Sequence, residues 1–99
     1  MSSAFEEKQN ILMRAVKAKG FDQKYSIKKL LMSTRFYSIY LLSENEQTDT
    51  KDSVLLLDHP PAQEPSAHLL PIKIQESASK TNKMKDIVEA VHDYFDEKD

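Results

Sequence analysis

Apolar positions recur at helical spacing near both ends of this chain and condense into short strand-like runs between them. Phe5, Leu12 and Val16 fall on one stripe, widened by Ile11, Ala15 and Ala18, the face an amphipathic helix turns toward a core. Ser3 and Glu6 stand at capping-box spacing, where each side chain can satisfy a free N–H at the other's position. Gly20 suits a left-handed position just past the last turn, with Phe21 folding back on Val16. The spacing predicts a helix over 3–19. Toward the other end, Met84, Ile87, Val88, Val91 and Phe95 follow the i, i+3, i+4 rhythm with Tyr94 beside them, predicting a helix over about 79–97. Ser77, Ser79, Thr81 and Asn82 all offer caps for its start.

The middle follows a period of two. In 35–43, Phe36, Tyr40 and Leu42 fall on one side and Tyr37, Ile39 and Leu41 on the other, as in a strand covered on both faces. Segments 53–58 and 68–75 read as further strands. Pro71 cannot donate a ladder hydrogen bond, so it belongs at an edge or a bulge. Polar stretches 44–52 and 59–67 read as exposed, mobile connections. Segment 25–32 is ambiguous. Tyr25, Ile27 and Leu31 alternate like a strand, whereas Ile27, Leu30 and Leu31 behind Ser26 suit a short helix.

As a strand, 25–31 completes an α+β fold: N-terminal helix, three- to four-stranded antiparallel sheet, C-terminal helix. As a helix, it opens the alternative of a winged helix-turn-helix. Ser33-Thr34-Arg35 would then start a recognition helix, with 53–58 and 68–75 as the wing. The sheet is preferred, because Phe36 to Leu42 offers only Ser38 for the polar face a groove-reading helix needs.

Composition narrows the function classes. Ninety-nine residues with 39% apolar and 30% charged content make one domain with a modest core, marginal alone and helped by a partner subunit. Without cysteine there is no disulfide, thiolate zinc site or thiol nucleophile. The single glycine cannot build a phosphate-cradling loop or a nucleophile elbow. The first residues lack an apolar signal core, and no apolar run approaches the ~20 residues a membrane span needs. An intracellular protein, cytoplasmic or nuclear, without membrane attachment is expected.

Candidate chemistry is sparse. No spacing ties a nucleophile to a base, so no catalytic residue and no cofactor is assigned. His59 and His68 bracket the Pro-rich loop, and Asp58 would join them if the strands paired in register. Loop histidines without a metal are commoner, and no metal site is assigned. That loop holds no Pro-x-x-Pro, so its prolines are read as stiffening a connection.

Charge carries more information. Residues 8–43 hold eight basic residues against Asp22 alone, a balance of +7, whereas residues 44–99 hold six basic and thirteen acidic residues, a balance of −7. Such asymmetry points either to an anionic partner or to complementarity within the chain or between copies. The anion or nucleic-acid candidates are Lys17, Lys19, Lys24, Lys28, Lys29 and Arg35, with Lys80, Lys83 and Lys85 assisting from the last helix. That helix carries lysines at its start and Asp93, Asp96 and Glu97 near its end, against its own macrodipole. The order helix, antiparallel strands, helix resembles the layout of double-stranded RNA-binding domains and of Alu-binding subunits of the signal recognition particle. Lys80, Lys83 and Lys85 echo the basic cluster of the former, but its glycine-containing strand loop has no counterpart, and no family follows from layout.

The leading expectation is a non-enzymatic protein–protein interaction module, a small subunit or homodimer, with Phe36, Tyr37 and Tyr40 as interface candidates. Nucleic-acid binding through segment 8–43 is the alternative.

Overall fold

The computed structural model describes the backbone of residues 4–46, 51–75 and 77–98, and the side chains of residues 10–97 within those ranges. The capping pair Ser3 and Glu6, and Phe5 of the first stripe, lie outside the described side chains.

The elements are α1 (Ala4–Ala18), α2 (Phe21–Lys24), β1 (Tyr25–Ser33), β2 (Tyr37–Glu44), β3 (Lys51–Asp58), β4 (Ser66–Gln75) and α3 (Lys80–Lys98). The four strands form one antiparallel meander in the order β1-β2-β3-β4. This is an α+β arrangement, and the winged helix-turn-helix alternative falls. Ser33, Thr34 and Arg35 open a hairpin turn instead of a recognition helix. Thr34 holds that turn: its N–H donates to Tyr37 O at 2.7 Å, and its hydroxyl oxygen accepts from the N–H groups of Phe36 and Tyr37.

Gly20 adopts φ 73, where a Cβ would be strained, and the chain turns there through the extra helical turn α2 before entering β1. Phe21 packs into the same cluster as Val16. At the start of α3, Ser79 is the cap: its hydroxyl accepts the Asn82 N–H at 3.2 Å and its carbonyl accepts the Lys83 N–H at 3.0 Å.

The alternating side chains build two cores, one on each face of the sheet. On the first face Ile39, Leu41, Val54, Leu56, Leu70 and Ile74 pack against Ile87, Ala90 and Val91 of α3. On the second, Leu42, Leu55, Leu57 and Ala67 pack against Leu12, Ala15 and Val16 of α1. The sheet is the middle of three layers. Burying those side chains stabilises the chain by roughly 1.5–3 kcal/mol for each large aliphatic residue.

Pro71 lies on the edge strand β4 at an irregularity, where Leu70, Pro71 and Ile72 stand opposite Val54 alone. The ring therefore costs no ladder bond in a central strand.

Candidate interaction surface

A sheet of four strands about 4.8 Å apart is roughly twice as wide as the ~10 Å helix laid on each face. Both long helices lie mainly against β4 by their backbones. The consequence is asymmetric burial. Seven of the eight residues of β3 are buried, whereas Ser26 to Leu30 of β1 are all exposed. Leu30 is 51% exposed and Ile27 37%, and both share the α1 face because they pair with Tyr40 and Leu42.

The α3 face is open on the same side. Val88 of α3 is 54% exposed although it sits next to Ile87, which is fully buried. Along this flank runs a shallow trough of two joined depressions. One, about 590 Å³, is lined by Thr81, Met84, Lys85, Val88, Glu89, His92 and Asp93 of α3. The other, about 260 Å³, lies between α3 and the first hairpin, with Met32 and Tyr37 opposite Val88, Val91 and Phe95. Val88 and His92 belong to both.

Of the expected interface residues, Phe36 is at the hairpin tip, 53% exposed, with the Arg35 guanidinium 5.9 Å from its ring centroid. Tyr37 is half-buried against Phe95 on the α3 face, with ring centroids 5.6 Å apart. Tyr40 is half-buried on the α1 face, and that burial raises its hydroxyl pKa above the usual 10.0. The three therefore do not share one surface. Ile27, Leu30 and Val88, which are not among the expected interface residues, are more exposed than either tyrosine. Val88 belongs to the predicted stripe of the last helix yet stays exposed, and Ile27 and Leu30 belong to the segment whose period is ambiguous, so spacing does not separate them from core residues.

The basic candidates are spread out. Lys17 stands in the last turn of α1 and Lys19 just beyond it, Lys24 ends α2, and Arg35 lies in the turn after β1, about 30 Å away past a nine-residue strand. Lys80, Lys83 and Lys85 begin α3, on the opposite layer from α1. Lys28 reaches across β2 to the largely buried Asp52 on β3, Nζ to Oδ2 2.9 Å. Lys29 pairs with Leu41 and so stands on the α3 face. Lys73 makes a similar reach on the other face, 3.8 Å from Glu44.

The histidines of the Pro-rich loop do not converge. His59 Nε2 is 2.9 Å from the Ser38 hydroxyl, whereas His68 is 2.8 Å from Ser66 and packs on Tyr94, ring centroids 5.1 Å apart. Among the described residues the group that brings three candidate metal ligands within 4.8 Å is His92, Asp93 and Asp96, all exposed. His92 Nδ1 and Asp96 Oδ2 are 3.1 Å apart. Three exposed groups on one helix surface leave water free to compete, and nothing else at that place points to an ion. No helix among the described residues is long and apolar enough to cross a membrane.

No family model matches the chain, and comparison with curated proteins and with solved structures gives no significant match.

Proposed function

We propose that this chain is a non-enzymatic protein–protein interaction module, acting as a small subunit or homodimer within an intracellular assembly. The observation that carries the reading is the uncovered edge of the sheet at β1. Residues Ser26 to Leu30 of the edge strand β1 are exposed, with Ile27 and Leu30 open on the α1 face, Phe36 at the adjoining hairpin tip and Val88 on α3. Large apolar side chains left exposed on a small domain mark surfaces that a partner covers. The depressions are shallow and mainly apolar, which suits contact with a side-chain surface better than enclosure of a small substrate.

Nucleic-acid binding by segment 8–43 is less well supported, because its lysines are divided between layers and Lys28 is engaged by Asp52. A phosphate backbone needs positive charge gathered along one track.

Native-mass measurement of the chain in extract of its own cells tests the proposal, with Leu30→Asp and Val88→Asp as surface variants. An assembly larger than the 11.4 kDa chain, lost in one or both variants, is expected. A species of 11.4 kDa in fresh extract overturns it. Binding of low-salt duplex or single-stranded nucleic acid at micromolar protein, steeply weakened by salt, would favour the alternative.

A further inference from the structure

Resting on that reading, we infer that the trough beside α3 is covered by the α3 of a second copy, laid antiparallel about a two-fold axis at Val88. Three observations converge on this occupant. The first is the arrangement of charge along α3. Lys80, Lys83 and Lys85 stand in its first turns, and Asp93, Asp96 and Glu97 in its last. Within one helix this order opposes the macrodipole and is unfavourable. Between two antiparallel helices the sign reverses, because each lysine-rich positive end lies beside the acidic negative end of its neighbour. An arrangement that weakens the lone helix therefore strengthens the pair.

The second observation is the register within the trough. With a rise of 1.5 Å per residue, a two-fold at Val88 places Lys85 about 4.5 Å to one side of the axis. The neighbouring copy's position 89 then falls about 1.5 Å, and its position 93 about 7.5 Å, to that same side. Each lysine is thus flanked by one copy each of Glu89 and Asp93, and all three residues line the same depression. Both ends of the contact repeat this pattern, as a self-complementary interface requires.

The third is Val88 itself. It lies at the junction of the two depressions, 54% exposed, with Met32 and Tyr37 across the second of them. At the axis it meets its own copy, so the most exposed large apolar residue of the helix becomes the centre of the contact. Charged residues ring it, the usual arrangement of an apolar centre inside a polar rim.

The test is a charge exchange between chains, read by light scattering or sedimentation of the purified protein. The wild-type chain is expected to run at twice 11.4 kDa at about 100 µM and to dissociate on dilution. Val88→Asp should be monomeric over that range. Lys85→Glu places three acidic residues together, and the double variant Glu89→Lys, Asp93→Lys places three lysines together; each alone should dimerise at least about tenfold more weakly. Mixed in equal amounts, the two should recover a dimer of wild-type affinity, because every reversed charge then meets its opposite. A helix content equal to wild type by circular dichroism shows that each variant is folded. A wild-type monomer at about 500 µM overturns the inference, as does a wild-type dimer indifferent to Val88→Asp. Variants that separate but do not pair when mixed overturn the antiparallel register. Native mass in cell extract distinguishes the two failures. A purified monomer found in a larger assembly overturns only the second-copy inference, whereas a monomer in extract as well overturns the interaction-module reading too.

Discussion

Replacing Ile87 by alanine should strongly destabilise the fold, while the same truncation one residue later should do almost nothing to the monomer. Ile87 is fully buried in the cluster with Ile39, Leu41, Val54 and Leu56. Removing three methyl or methylene groups there forfeits their transfer free energy and leaves a cavity that the flanking sheet cannot collapse to fill. The expected cost is about 3–4 kcal/mol. For a chain of 99 residues the total stability is on the order of 5–15 kcal/mol, so this is a large fraction of it. With an unfolding entropy of about 0.2 kcal/mol per kelvin for the whole chain, Tm should fall by roughly 15 °C. Val88→Ala removes a side chain that is 54% exposed and should shift stability by less than about 0.5 kcal/mol. Urea titration followed by circular dichroism, at about 1 µM so that association contributes little, measures both. Similar losses in the two variants, or a loss below about 1 kcal/mol for Ile87→Ala, would falsify the assignment of the two sides of α3.

Gly20→Ala should cost about 1 kcal/mol by thermal melting, through backbone strain alone, since φ is 73 and no atom lies within 4 Å of the added Cβ. Lys28→Met should destabilise by about 1–2 kcal/mol in urea titration, because it leaves the carboxylate of Asp52 largely buried without its cation; the partial exposure of Lys28 keeps the effect below that of a fully buried pair. Burial raises the Tyr40 pKa, so its neutral form contributes stability that is complete below the unfolded value near 10 and lost as pH rises through the higher folded value. Tyr40→Phe cannot ionise, and its melting temperature should therefore fall less steeply than that of the wild-type chain above about pH 10.

The exposed edge of the sheet was harder to read than the cores, and β1 shows why. Its pairing with β2 slips twice, between Ile27 and Lys29 and again between Leu30 and Met32. Each slip inserts one residue. Ile27 and Leu30 consequently share a face although they are three apart, which is the spacing of a helical turn. The ambiguity of segment 25–32 was thus a real property of the strand. Lys28 and Lys29 in its centre add to it, since an edge strand tolerates charge that a central strand does not. The interface candidates failed to gather for a related reason. Phe36, Tyr37 and Tyr40 were chosen as aromatics, but in a pleated strand neighbouring positions point to opposite layers, and two of the three are absorbed into the two cores.

What the amino-acid order determines by itself is what depends on near neighbours. The stripe of α1, the turn at Gly20, the two-faced character of β2 and the confinement of Pro71 to an edge or a bulge all follow from spacing and backbone sterics within a few residues, whereas the choice of Ser79 among four possible caps of α3 does not. The tertiary structure alone decides where the helices settle across the sheet. Two helices of ordinary width on a four-stranded sheet cannot cover all of it, and which edge strand stays exposed depends on packing between residues far apart in the chain. That choice leaves Leu30 and Val88 exposed while burying Ile87, a distinction that hydrophobicity cannot make because all three are aliphatic.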